Sequence, residues 1–245
     1  SMTNDNSSSH RPVDEIRILI NQSSVALERS ILLSETRQQA SEISHAYTQL
    51  DLSYDQTLLA LTKALDARDH ETELHTLRVT RIALTIGRQI GLPAPDLKAL
   101  KRGAILHDIG KVGISDTILL KKGALDSAEW EIMRRHPLIG GQIIQVVTEL
   151  HDALTVVVNH HERWDGSGYP HGLRAEEIPL QARIFAVADV YDALTNDRPY
   201  RPQKYTPEEA LNYLQSQAGI LFDPKIVRIF TRIFPQLTFP ESLEE

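Results

Sequence analysis

The segment Asn159-His160-His161-Glu162-Arg163-Trp164-Asp165-Gly166-Ser167-Gly168-Tyr169-Pro170 runs two adjacent imidazoles and two acids straight into a glycine-rich loop stopped by proline. A second cluster, His107-Asp108-Ile109-Gly110-Lys111, lies upstream, with lone histidines at His75 and His136 and a carboxylate at Asp189. In a chain without cysteine, imidazole nitrogens and carboxylate oxygens are the ligand set of borderline-to-hard metals such as Fe, Mn or Zn.

Adjacent residues on a helix point about 100° apart, so His107 and Asp108 can serve two different metals or bridge them rather than chelate one. Lys111 follows one turn later and could place an ammonium on a phosphate oxygen or leaving group. A second His-Asp pair, His151-Asp152, lacks the Gly-Lys sequel and reads as surface. Asp189 lies in a segment, Ala182 to Leu194, that is apolar on nearly all sides; a carboxylate buried there needs a cation or hydrogen bonds. A salt bridge with Arg183 is the competing reading. Glu71 precedes His75 by one turn and shares its face if the helix begins early enough. Any one histidine is more often packed or superficial than a ligand, and His10, His45, His70 and His171 are left in that class.

Helices must position these groups. Residues 13–50 read as a helix, without glycine, and Ile43, Tyr47, Leu50, Tyr54, Leu58, Leu61 and Leu65 step by threes and fours as one continuous apolar face. It serves either as a solvated connector or as a dimerising signal helix. Leu77 to Ile90 repeats at helical spacing and stops at Gly91; Asp96 to Leu106 leads into His107. Asp126 can cap a helix from Ser127 to Arg135. Pro137 suits the first helical position, with His136 at the cap. Thr206-Pro207-Glu208-Glu209 is a capping box, and Asp223-Pro224 opens a helix that Pro235 ends. Residues 112–125 are the one place for a small hairpin. The expected fold is all-α.

The 245 residues, 41% hydrophobic and 24% charged, suit one large domain or a domain plus an extension. A net charge of −7 argues against a nucleic-acid polymer as partner. Without cysteine there is no disulfide framework or thiolate site, which fits the cytoplasm. No apolar run reaches membrane-span length and no signal-peptide core opens the chain. Ser1-Met2 reads as a cloning scar, and the polar stretch to Pro12 as disordered.

Taken together, HDIGK at His107 to Lys111, HHERWDGSGYP at His160 to Pro170 and ADVYDALTNDRPYR at Ala188 to Arg201 resemble the HD-GYP domain, a subgroup of the HD phosphohydrolases. The resemblance runs from about Tyr54 to Phe234. It implies an all-α, HD-domain-like helical bundle, placed at 51–236; the sequence pattern puts a connector helix before it at 13–50 and tails at 1–12 and 237–245. It further implies a phosphodiesterase that linearises cyclic di-GMP to pGpG and in many members continues to GMP. The metal ligands it implies are His75, His107, Asp108, His136, His160, His161 and Asp189, with Glu71 helping to hold a third metal. Two or three divalent ions, Fe or Mn, would then be bound. Substrate contacts would come from Lys111, Tyr169, Arg198 and Arg201, and Asp108 and Lys111 would be catalytic. Two metals about 3.5–4 Å apart can share a hydroxide for in-line attack on phosphorus. A catalytically silent cyclic di-GMP receptor is the alternative, and an HD phosphohydrolase of another nucleotide a third reading. A homodimer through the N-terminal helix and an upstream sensor domain are expected partners.

Overall fold

The computed structural model describes residues 11–69, 74–196 and 204–237. Glu71, Arg198 and Arg201, with His10, His70 and nearly all of both expected tails, lie outside the described residues. By contacts the chain divides into Ser1–Tyr54 and Asp55–Glu245. Among the described residues the first unit is the early part of α1 (Arg11–Asp69), a helix that continues without a break past Leu50. Every side chain from Glu15 to Leu50 is exposed.

The second unit is helical throughout, as the sequence leads one to expect: among the described residues there are two isolated bridges and no strand. Its elements are the end of α1, α2 (His75–Ile90), α3 (Ala94–Leu106), α4 (Asp116–Leu119), α5 (Ser127–Met133), α6 (His136–Ile144), α7 (Leu154–Asn159), α8 (Leu180–Thr195), α9 (Pro207–Ser216) and α10 (Pro224–Ile233). Local chemistry fixes many ends. Gly91 closes α2 in the left-handed region at φ 85°. Asp126 with Glu129, and Thr206 with Glu209, form reciprocal capping boxes that satisfy orphan N–H groups. Asp223 caps α10 through Lys225 N.

No helix among the described residues is long and apolar enough to cross a membrane. α2 packs on both α3 and α8, and their apolar faces build the core around Val79, Ile82, Ile86, Leu100, Ile184 and Phe185. Truncating a side chain such as Phe185, which has no exposed area, costs about 3–5 kcal/mol.

Two expectations are corrected here. Residues 112–125 form no hairpin. A 3-10 turn at Ile109–Gly113 is followed by α4, because Ile114, Ile118 and Leu119 recur by four and five and bury together in a small satellite core. Nor is the apolar face of α1 continuous. Leu58 and Leu65 are buried with Thr62 between them, while Leu61 is 56% exposed. Thr62 can occupy that buried row because its Oγ1 lies 3.0 Å from Ile105 O and 3.1 Å from Leu58 O.

Candidate metal centre

Four imidazoles sit at helix termini that converge. His75 and His136 are the first residues of α2 and α6, and His107 and His160 cap the C-termini of α3 and α7. Pro137 therefore occupies the second helical position rather than the first. Asp189 comes from the middle of α8. Ligand atoms fall into two groups, each mutually within 4.8 Å: Asp108, His136, His160 and His161 in one, and His75, His107 and Asp189 in the other.

Asp108 stands between them. Its Oδ1 lies 3.2 Å from His136 Nε2 and 3.8 Å from His160 Nε2, while Oδ2 lies 3.1 Å from His107 Nε2. Lys111 Nζ reaches the same Oδ2 at 2.9 Å. His75 Nε2 is 3.4 Å from Asp189 Oδ1. The buried imidazoles are 0–3% exposed, whereas Lys111 and Asp189 are 15% and 20% exposed and mark the open side.

The donors fit divalent cations. His107, His136 and His160 each donate Nδ1–H to the carbonyl three residues back, at 2.9, 2.8 and 2.9 Å. With Nδ1 engaged in this way, each Nε2 is the ring nitrogen turned toward the cluster. His136 and His160 Nε2 face each other at 3.2 Å, close enough for one cation to take both. The cluster is thus suited to divalent metal through neutral nitrogen and carboxylate oxygen.

Electrostatics agree. Burial, reinforced by neighbouring imidazoles, pushes His160 well below its ordinary pKa and His161 down to about 3, so both are neutral donors at pH 7. Burial alone would raise Asp108, but the Lys111 ammonium and the His107 and His136 contacts outweigh it and hold the carboxyl well below the usual range.

A family model described as HD domain matches residues 54–226. The chain belongs to the HD domain family. Over 74% of its length it is 42% identical to "Cyclic di-GMP phosphodiesterase response regulator RpfG" of Xanthomonas campestris pv. campestris (strain 8004), covering 48% of that protein. It is 39% identical to "3'3'-cGAMP-specific phosphodiesterase 2" of Vibrio cholerae serotype O1, over 69% of this chain and 33% of the relative. The crystal structure of the V. cholerae cyclic GMP-AMP phosphodiesterase V-cGAP3 shares the fold, with a TM-score of 0.60 at 24% identity over 75% of this chain and 49% of that one. This chain spans half or less of the length of these relatives.

Within the HD domain, three supporting residues escape a reading by type and spacing. Asp192 is one turn beyond Asp189 and is the deeply buried acid of α8: its side chain is 2% exposed, against 20% for Asp189. The expectation that Asp189 is the buried carboxylate is corrected accordingly, and Arg183 pairs with Asp223 at 2.7 Å instead. Asp192 accepts from His75 Nδ1 at 2.7 Å, from Arg78 Nε and NH2 at 2.5 and 3.0 Å, and from Asn196 at 3.0 Å. Burial would raise its pKa, yet the His75 and Arg78 bonds bring it below the ordinary value. A carboxylate behind a histidine fixes both its tautomer and its orientation.

Glu162, 3% exposed, accepts from His171 N at 2.7 Å and Leu173 N at 3.0 Å and so ties down the loop that carries Tyr169. Gly168 lets that loop close, because an added Cβ would lie 2.4–2.6 Å from the backbone of Arg163, Glu162 and His161. Tyr169 then stacks on His161, with centroids 4.6 Å apart at 29°. Arg134 is the third missed residue; its guanidinium lies over the Tyr169 ring at 5.5 Å. Two signals lay in the sequence: a second acid one turn along α8, and an acid directly after the paired histidines.

Proposed function

We propose that this HD domain is a metal-dependent phosphodiesterase that opens cyclic di-GMP to pGpG and can continue to GMP, as its HD-GYP motifs suggest. One observation carries the reading: two facing groups of imidazoles and carboxylates meet at Asp108, beside a lysine on the open side. A relative named as a cyclic di-GMP phosphodiesterase, at 42% identity, supports the substrate class.

Asp108, His136, His160 and His161 would hold one ion, and His75, His107, Asp108 and Asp189 a second, with Glu71 contributing to a third. Iron or manganese suits this nitrogen and oxygen set. Bound ions supply Lewis-acid charge and lower the pKa of water at the site. The protein supplies the rest. Lys111 can exchange its contact with Asp108 for a non-bridging phosphate oxygen and stabilise charge that grows there. Burial raises the Tyr169 phenol far above its ordinary pKa, so it stays protonated and acts as a hydrogen-bond donor or stacking surface, not as a base. Arg198 and Arg201 would add cationic contacts to the second phosphate. We place the domain at 51–236 in a cytoplasmic protein, with the exposed N-terminal helix pairing with a second copy and relaying an upstream sensor.

The test is metal content of anaerobically purified protein, measured together with turnover of cyclic di-GMP, 3'3'-cGAMP and linear dinucleotides. Two or more Fe or Mn per chain with cyclic di-GMP as preferred substrate supports the reading. Full metal occupancy with tight cyclic di-GMP binding and no turnover would favour a receptor instead.

A further inference from the structure

We propose that Arg68, in the last turn of α1, is a positioning residue for Asp108 and Lys111, so that α1 acts on the chemistry through the 3-10 turn at Ile109–Gly113. The catalytic part of this inference rests on the function proposed above. The contacts behind it do not.

That turn is short and has no side-chain cap of its own. Lys111 N bonds Asp108 O at 2.9 Å and Ile114 N bonds Lys111 O at 3.0 Å, which is its own internal bonding. The carbonyls that follow point out of the turn and need donors. Arg68 supplies them: NH2 donates to Ile114 O at 2.9 Å and NH1 to Val112 O at 3.3 Å. Its Nε and NH2 also meet Asp116 Oδ1 at 2.9 and 2.6 Å. A planar guanidinium can hold this fork of acceptors at once, and its charge suits the carbonyl end of a helical turn.

Arg68 is the last of three polar ties along one stretch of helix. Asp55 takes Lys101 at 2.7 Å and Arg102 at 3.0 Å from α3. Thr62 Oγ1 reaches Ile105 O at 3.0 Å, two residues before His107. α1 from Asp55 onward is therefore fastened along α3, which His107 caps, and along the turn that follows and carries Lys111. On its other side the turn is pressed against α6, where Gly110 meets the backbone of His136 and Gly140. The α6 contact keeps Asp108 near His136. The Arg68 contact fixes the far end, where Lys111 leaves the turn.

The experiment compares Arg68→Ala, Arg68→Lys and Asp116→Ala in the full chain. Two readouts are used: hydrogen exchange of the 109–116 amides, and kcat and KM for cyclic di-GMP with metal content measured. Arg68→Ala is expected to speed exchange of the Lys111 and Ile114 amides about ten-fold and to lower kcat about ten-fold, since small misplacements of a positioned group are costly. KM and metal content should change less than two-fold. Asp116→Ala, which keeps the carbonyl contacts and loses only a pair whose carboxylate is 66% exposed, should stay within two-fold on both readouts. Arg68→Lys should fall between and keeps the test open if the alanine variant does not fold. Unchanged exchange and kcat in Arg68→Ala overturns the proposal. So does Asp116→Ala matching Arg68→Ala, because the surface pair would then be the active contact. Faster exchange with unchanged kcat overturns the catalytic part. A parent protein with no turnover of any cyclic dinucleotide sinks the proposed function, and exchange alone then decides whether Arg68 positions the turn.

Discussion

Replacing Gly110 by alanine should dismantle the site while leaving the helices in place. A Cβ at this position would lie 1.9 Å from His136 O, 2.5 Å from Gly140 N and 2.8 Å from His136 C. These are backbone atoms of α6 and cannot rotate away. Contacts under 3.0 Å are essentially never seen, so the turn must retreat by at least 3.0 − 1.9, about 1.1 Å. Asp108 and Lys111 ride on that turn, and Asp108 Oδ1 is 3.2 Å from His136 Nε2. Metal–ligand distances tolerate only about 0.2 Å, so one donor group would open beyond use. Overpacking itself costs about 1–3 kcal/mol, which the domain can absorb. Gly113→Ala is the control: the nearest atoms to its Cβ belong to the Ile139 side chain, at 2.9 Å or more, and a side chain can shift. Elemental analysis and cyclic di-GMP turnover, with circular dichroism to confirm helicity, are the assay. Gly110→Ala should lose at least one equivalent of metal and about a hundred-fold in rate; Gly113→Ala should remain within a few-fold of the parent. Parent stoichiometry and near-parent rate in Gly110→Ala would refute the claim that this backbone contact sets the geometry.

Asp192→Asn should weaken metal binding about 10–100-fold, read by competition with a chelating dye, because His75 loses the carboxylate that orients it. Arg78→Ala should cost about 2–3 kcal/mol in urea denaturation: it strips a buried carboxylate of one partner, although Arg78 is itself 26% exposed. Acid should destabilise the metal-free protein. His160 and His161 have folded-state pKa values below the ordinary 6.5, about 3 for His161, so below pH 6.5 the unfolded chain binds protons that the folded chain refuses. Stability should then fall with pH by about 1.4 kcal/mol per unit for each of the two, starting near pH 6.5, as read by denaturation at stepped pH. A flat profile between pH 6.5 and 4.5 would mean that both histidines are protonated in the folded state.

What could be read from sequence and what could not divide along a physical line. Helix ends declared by local chemistry, such as Asp126 with Glu129, Thr206 with Glu209 and Gly91, were legible because donor and acceptor lie within a turn of each other. Residue type and motif singled out the histidines and aspartates, and the structure brings His75, His107, Asp108, His136, His160, His161 and Asp189 into two groups. Arrangements that depend on distant neighbours were not legible. Whether Asp189 or Asp192 is the buried acid is decided by Arg78 and His75, more than a hundred residues away. Leu61 fits the apolar spacing but faces solvent, because Thr62 finds a carbonyl on α3 and takes the buried row. The same division explains why the centre is assembled at helix ends. A terminus leaves carbonyls three residues back free to fix Nδ1, as in His107, His136 and His160, and so aims each Nε2 without help from any other segment. For these three ligands the ring is thus aimed locally, whereas His75 needs the distant Asp192; packing brings the aimed nitrogens together, and the backbone approach at Gly110 fixes how closely they meet.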